Sequence, residues 1–233
     1  MKKIAFIPAR SGSKRFPNKN ITKLAGKPLL IWTLKSFSES GCFDKIIFSS
    51  DSEEYFDVVL DYFNSGEIEF HKRKNNEAGD NVKIFDFIKE NLNNFCNKED
   101  LFVLGLPTCP LRKSIHIKES IELSIRTKKP VFSACEYDFH VPFAFSLDSE
   151  NYNSSWKPLF TNSPMLSGNT RSQDQIKYFH PNGAIYVIKP NLISNDTNTF
   201  YINAIPYLMK RCFSIDIDMP EDIELAEYYA CKI

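Results

Sequence analysis

The chain has 233 residues, 42% of them apolar, enough for one substantial core and too many for a disordered segment. Twenty-nine Lys and Arg balance 29 Asp and Glu, so there is no overall field to coat nucleic acid or an anionic membrane, and any basic site must be local. Eight glycines against 13 prolines exclude collagen-like or Gly-rich linker character. No apolar run approaches the roughly 20 residues of a membrane span.

Lys2-Lys3 followed by the apolar residues 4–8 is too short for a signal peptide and reads as a buried first strand. Further β-rich runs at 45–50, 68–71, 101–106 and 131–137 alternate with helical patterns at 28–37, 53–63, 82–92 and 114–126. This alternation predicts an α/β fold with a mostly parallel sheet. Ile4-Ala5-Phe6-Ile7 and Leu101-Phe102-Val103-Leu104 are continuously apolar, as strands are when helices cover both faces. Helix starts are marked by Ser52 before Glu53-Glu54, by Ser114, and by Pro220-Glu221-Asp222. Between 142 and 176 the pattern breaks into aromatic, Asn/Ser/Pro-rich sequence, longer than an ordinary connection, which predicts an insertion within a single domain spanning 1–233. Strands resume at 183–188, 203–208 and 213–218, and a helix from 220 to 231 closes the chain. Six cysteines stand singly, without C-x-x-C pairs or histidines at zinc spacing, which predicts reduced thiols in a cytoplasmic protein. Cys109, inside a candidate site loop, is read as a small buried thiol.

Ligands of open α/β sheets bind at the carboxyl ends of strands. The first strand runs into Ala9-Arg10-Ser11-Gly12-Ser13-Lys14-Arg15-Phe16-Pro17-Asn18-Lys19-Asn20, with four cations between positions 10 and 19. A glycine for tight curvature, backbone amides, serine hydroxyls and Lys/Arg donors are the ingredients of a polyphosphate cradle. The spacing matches neither G-x-x-x-x-G-K-[ST] nor G-x-G-x-x-G. Near the other end, Phe213-Ser214-Ile215-Asp216-Ile217-Asp218 alternates, and strand residues two apart share a face at roughly 6.6–6.8 Å. Asp216 and Asp218 thereby offer two hard oxygen ligands suited to Mg²⁺, which also keeps waters and substrate phosphates. A half-exposed strand with its polar face outward would produce the same alternation without a metal.

Ile7-Pro8-Ala9-Arg10-Ser11-Gly12-Ser13-Lys14-Arg15, Lys19-Asn20-Ile21 and Gly26-Lys27-Pro28-Leu29 resemble the opening of the acylneuraminate cytidylyltransferases, the CMP-sialic acid synthetase family. Ser49-Ser50-Asp51-Ser52, Pro107-Thr108-Cys109-Pro110-Leu111-Arg112, Pro181-Asn182-Gly183-Ala184-Ile185-Tyr186 and Ile215-Asp216-Ile217-Asp218 extend the resemblance over essentially the whole chain. It implies a Rossmann-like nucleotidyltransferase fold with a small dimerisation insertion. It also implies a homodimer that transfers CMP from CTP, with Mg²⁺, to the anomeric C2 hydroxyl of a nine-carbon 2-keto sugar acid, releasing pyrophosphate. Neither nucleic acid nor a membrane is an expected partner.

Carried over residue by residue, the resemblance gives Arg10, Lys14, Asp216 and Asp218 catalytic roles, the two aspartates also holding the metal. It assigns the nucleotide to Ala9, Arg10, Ser11, Gly12, Ser13, Lys14, Lys19, Asn20, Arg73 and Asp80, and the sugar acid to Thr108, Arg112, Arg171, Gln173 and Asn182. Arg171 lies in Asn169-Thr170-Arg171-Ser172-Gln173-Asp174, similar to a motif of pseudaminic acid cytidylyltransferases, and its guanidinium suits a carboxylate. Two departures bear on the acceptor: Leu106 stands where many relatives have Gln before Pro-Thr, and Ala144 or Phe143 replaces a lysine of sialic acid enzymes. N-acylneuraminate is the expected acceptor, with pseudaminic or legionaminic acid as the alternative. The rival readings are a D-x-D glycosyltransferase, which releases no pyrophosphate, and a non-catalytic nucleotide-binding protein, which binds CTP without turnover.

Overall fold

Apolar side chains on both faces of the first strand require helices above and below it, and the computed structural model supplies them. It describes residues 1–79, 82–149, 151, 153–193 and 200–233. In chain order the elements begin with β1 (Lys3–Pro8), a ribbon of β2 (Lys23–Leu24) and β3 (Lys27–Pro28), α1 (Leu29–Ser38), β4 (Lys45–Ser50), α2 (Glu53–Leu60) and β5 (Glu69–Lys72). Then follow α3 (Ile84–Phe95), β6 (Leu101–Leu104), α4 (Ser114–Thr127), β7 (Val131–Glu136), β8 (Phe145–Leu147), β9 (Trp156–Pro158) and α5 (Pro164–Ser167). The last elements are β10 (Phe179–Ile188), β11 (Ile205–Leu208) and α6 (Pro220–Ala230).

Seven strands form one sheet in the order β11-β7-β10-β6-β1-β4-β5. Pairings of β1 with β4 and β6, β4 with β5, and β11 with β7 are parallel, and β10 runs antiparallel to β6. The chain moves outward from β1 through β4 to β5, then returns to β6 on the other side of β1. This reversal opens a crevice at the carboxyl ends of β1 and β6, the place where such sheets take ligands.

Alternate residues of each central strand feed different cores. Ala5, Ile7 and Val103 pack with Leu34 of α1, Val59 of α2 and Ile121 of α4. Phe6, Phe102 and Leu104 pack on the opposite face with Phe87, Leu92 and Phe95 of α3. The Phe6 ring lies 4.8 Å from Phe95 and 5.4 Å from Phe102, and complete burial of such a side chain contributes about 1.5–3 kcal/mol. At α2 the Ser52 hydroxyl caps the Tyr55 amide at 3.3 Å, as expected. At α4 the cap differs from expectation: Ser114 is already helical, and the Lys113 amide donates to His116 Nδ1 at 3.1 Å.

The predicted strand at 213–218 is not a strand. A 3₁₀ turn (Arg211–Phe213) leads into an irregular extended run, and the Ile217 amide donates to the Thr108 carbonyl at 2.7 Å. The alternation is nevertheless a burial pattern: Ile215 and Ile217 join Leu24, Leu29, Leu111 and Ala226 in a third core, and Asp216 between them does not belong to it. The period-2 signal reports one buried face, which an extended loop satisfies as well as a ladder does.

Residues 1–134 and 181–233 form one compact unit, and Cys135–His180 form another. In the second, β8 and β9 pair antiparallel, Ser163 caps α5 through the Met165 amide at 3.3 Å, and Lys177 pairs with Glu136 at 3.0 Å. Among the described residues no helix is long and apolar enough to cross a membrane.

Candidate active site

The basic loop leaves β1 under tight local control. Ala9, 1% exposed, donates its amide to the Ser49 carbonyl at 2.9 Å, extending the ladder with β4 by one bond. Ser11 is then clamped by Asp51, its amide reaching Oδ1 at 2.8 Å and its hydroxyl Oδ2 at 2.7 Å. Farther on, buried Asn20 donates from Nδ2 to the Arg10 carbonyl at 3.0 Å, closing the loop on itself. The tight curvature expected at Gly12 lies elsewhere. Gly12 does not have a left-handed φ, and a Cβ there would meet nothing within 4 Å. Asn18 takes the left-handed conformation, with φ 55°, and its side chain is of the kind that tolerates it.

Facing this loop is the segment that leaves β6. The Gly105 amide donates to the Phe6 carbonyl at 3.1 Å, and Leu106, Pro107 and Thr108 follow. Between the two lies a cleft of about 360 Å³ whose walls include Arg10, Ser13, Lys14, Arg15, Lys19 and Asn20. The acidic run reaches the same place. Asp218 accepts from Lys19 Nζ at 3.0 Å and Arg15 Nη2 at 3.1 Å. Asp216 is hydrogen-bonded to Thr108. The run is anchored from behind by α6, where Asp222 accepts from the Asp218 and Met219 amides, each at 2.8 Å.

The two carboxylates differ electrostatically. Desolvation raises the Asp216 pKa above the ordinary aspartate value, with Asp218 adding to the rise and the Thr108 hydrogen bond opposing it. Asp218 is also partly desolvated, but the hydrogen bond and charge of Lys19, followed by Arg15, bring its pKa below the ordinary value. As ligands for Mg²⁺ the pair fits: both supply hard oxygens, beside a basic loop able to hold the phosphates that complete a magnesium shell. Among the described residues no three His, Cys, Asp or Glu side chains cluster for metal binding, so two carboxylates alone would leave most of the shell to water and phosphate.

Other candidates lie deeper. Arg73, 5% exposed, donates from Nε to Ser49 Oγ at 3.0 Å and sits 4.6 Å from the Phe87 ring, while its Nη2 has no hydrogen-bond partner among the described residues. Desolvation, opposed by Asp51, brings its pKa down to about 10. Arg112 is 2% exposed; its Nη2 donates to the Leu106 carbonyl, so it braces the cleft wall from within. Asn182, also 2% exposed, has its amide engaged at both ends. Its Oδ1 accepts from Ser133 Oγ at 2.6 Å and the Ala184 amide at 3.1 Å, and its Nδ2 donates to Ser214 Oγ at 2.8 Å. Buried as they are, Arg112 and Asn182 serve the architecture around the cleft, and neither stands as an open contact on it. Thr108 lines the cleft directly. Arg171 and Gln173 belong to the second unit, where both are exposed and Arg171 lies 3.9 Å from Asp174. Asp80 lies outside the described residues. Asp51 carries no role in the sequence reading, although Ser49-Ser50-Asp51-Ser52, directly after β4, is the signal for it.

Comparison with known proteins gives a consistent set of likenesses. The sequence model of the family described as cytidylyltransferase matches residues 4–140. An N-acylneuraminate cytidylyltransferase of Streptococcus agalactiae serotype V is 34% identical over 227 residues, which cover 95% of this chain and 52% of that protein. The chain thus spans about half the length of that relative. A CMP-N,N'-diacetyllegionaminic acid synthase of Legionella pneumophila is 30% identical over 231 residues, 97% of this chain and 95% of that one. Among solved structures, a CMP:2-keto-3-deoxy-manno-octonic acid synthetase complexed with CTP superposes with a TM-score of 0.69, covering 100% of this chain and 99% of that one. At 13% identity this last likeness concerns the fold alone.

Proposed function

The chain belongs to the cytidylyltransferase family, and from that premise we propose that it transfers CMP from CTP to the anomeric C2 hydroxyl of a nine-carbon, sialic-type 2-keto sugar acid. The observation that carries this reading is the meeting of the Arg10–Lys19 loop with Asp216 and Asp218 at the carboxyl ends of β1 and β6. Charge of both signs at one crevice is what a nucleoside triphosphate and its cation require, and neither group alone would discriminate it from other anions.

In the proposed reaction the C2 oxygen attacks the α-phosphorus in line. A P–O bond to the sugar forms, the α–β phosphoanhydride bond breaks, pyrophosphate departs with the bonding pair, and the hydroxyl proton passes to solvent. Arg10 and Lys14 hold the phosphates and offset charge growing on the departing pyrophosphate. The Ser11 clamp on Asp51 keeps the loop in one conformation, so little reorganisation is needed as the charge develops. Mg²⁺ held by Asp216 and Asp218 would supply Lewis-acid neutralisation of the phosphate oxygens. Lys19, now paired with Asp218, is placed to turn toward the nucleotide. Arg73 offers its unpartnered Nη2 as a donor to the base.

N-acylneuraminate is the first choice of acceptor. Leu106 on the cleft wall favours a second reading, a less polar acid such as pseudaminic or legionaminic acid, because leucine cannot hydrogen-bond a sugar hydroxyl. The second unit is proposed to bind a second copy of the chain, on the strength of its exposed Phe145, Leu147, Trp156 and Leu159. A reaction that consumes CTP suits a cytoplasmic setting.

The test is pyrophosphate release from CTP and Mg²⁺ with N-acetylneuraminic, legionaminic and pseudaminic acids in separate reactions. Release with one of them is expected and names the acceptor. CTP binding with no release from any of the three would overturn the transferase reading in favour of a binding protein.

A further inference from the structure

A second cavity, of about 340 Å³, opens among α1, the start of α4 and the end of α6. Its walls carry four cations, Lys27, Lys35, Arg112 and Lys113, against one side-chain carboxylate, Glu39, and of the four Lys113 already donates from Nζ to the Ile233 main-chain oxygen in the same wall. Trp32 gives it an aromatic wall, fixed by an indole N–H bond to the Leu24 carbonyl at 2.9 Å, and Lys27 Nζ lies 4.3 Å from that ring. Desolvation, with the like charge of Lys35 adding to it and Glu39 opposing, lowers the pKa of Lys27. Arg112 is 2% exposed, and its Nε and Nη1 have no hydrogen-bond partner among the described residues. Buried donors on a charged group are costly to leave unpaired, and like charges gathered around a concavity favour an anion there.

We propose that this cavity binds a small multivalent oxyanion of the phosphate class, at a place separate from the β1/β6 cleft. Its charge would relieve the repulsion between Lys27 and Lys35 and provide acceptors for donors that now have none. Three features set it apart from a merely basic surface: the cavity is concave, one cation in its wall is almost fully buried, and the aromatic wall is held in place. It also has a physical connection to the cleft. Arg112 Nη2 holds the Leu106 carbonyl, and Leu106 and Thr108 line the cleft beside Asp216. An anion that draws on the Arg112 guanidinium therefore acts on the wall against which the nucleotide is proposed to sit.

The chain has two tryptophans, so Trp156→Phe leaves Trp32 as the sole reporter inside the cavity. Inorganic pyrophosphate is titrated into that variant while Trp32 emission is followed. A saturable change is expected, retained when Lys14→Ala disables the cleft and weakened about tenfold or more by Lys27→Ala with Lys35→Ala, the scale of losing charge-assisted contacts. Lys35→Ala alone, on a half-exposed helix position, keeps the test usable if Lys27→Ala disturbs the β2–β3 ribbon. No saturable change, or one abolished by Lys14→Ala and indifferent to the lysines of the cavity, overturns the proposal by assigning all binding to the cleft. Neither outcome depends on turnover, so the proposal fails or stands separately from the assigned reaction.

Discussion

Replacing Asn182 by alanine separates a structural tie from a substrate contact. The side chain joins three parts of the fold: Ser133 in β7, the Ala184 amide in β10, and Ser214 at the head of the run that carries Asp216 and Asp218. Truncation removes these three hydrogen bonds, each worth about 0.5–1.5 kcal/mol net, together with a weaker one from Nδ2 to Met209 Sδ at 3.5 Å. It also leaves the Ala184 amide buried without an acceptor, although Ser133 Oγ keeps the Ile185 carbonyl at 3.1 Å and Ser214 Oγ keeps the Lys210 carbonyl at 3.0 Å. With those two hydroxyls still satisfied, the loss comes to about 2–4 kcal/mol. For a chain of this size each kcal/mol lowers Tm by about 2–4 °C, so a fall of about 5–15 °C is expected. Urea unfolding at fixed pH measures the loss, and steady-state kinetics well below the variant's melting temperature measure the site. The structural reading expects lost stability with little change in KM for the acceptor. A stable protein with a sharply raised acceptor KM would refute it and return Asn182 to the sugar.

Asp218→Ala should abolish pyrophosphate release while costing little stability, because its pairs with Lys19 and Arg15 are partly exposed and such pairs contribute at most about 1 kcal/mol; near-normal turnover removes Asp218 from the mechanism. Gly105→Ala places a Cβ 2.4 Å from Cε2 and Cζ of Phe37, a fully buried ring stacked 5.4 Å from Phe43. The ring has little room to retreat, so a loss of about 1–3 kcal/mol is expected, and an unchanged urea midpoint would show that it yields freely. Acid should destabilise the protein through two histidines whose pKa values lie below the ordinary 6.5, His71 through desolvation and then Arg73, His116 through desolvation and then Lys113 and Arg112 against Glu119. A depressed pKa means the unfolded chain binds the extra proton more readily, so their contribution is complete above pH 6.5 and is lost as pH falls through the folded values; a Tm that stays flat from pH 7.5 to about 5.5 contradicts this.

The fold was legible because burial and secondary structure coincide in a parallel sheet. The continuously apolar runs in β1 and β6 could be placed only between helical layers, and the structure has α1, α2 and α4 on one side and α3 on the other. Legibility ended where the two signals separate. The alternation at 213–218 identified the inward isoleucines, and a period of two cannot say whether the backbone bonds a neighbouring strand or, as here, the Thr108 carbonyl. The ribbon of β2 and β3 was missed because two-residue strands leave no periodicity to detect.

The candidate site shows a second limit, set by side-chain direction. The motifs name residues that lie near the crevice without saying which of them face it. Arg10, Ser13, Lys14, Lys19 and Thr108 line the cleft, whereas Arg112 and Asn182, drawn from equally distinct motifs, turn inward. Their polar groups hold the Leu106 carbonyl and the head of the acidic run, and those contacts determine where Thr108 and Asp216 stand. Ser11 likewise uses its hydroxyl on Asp51, in the motif after β4. A sequence motif beside a candidate site therefore mixes the groups that face the cleft with those that hold them in place. The two are told apart by burial and by whether each donor is already satisfied: Asn182 is satisfied at both ends, whereas Arg73 and Arg112, buried yet with nitrogens that have no partner among the described residues, each leave a place for a ligand.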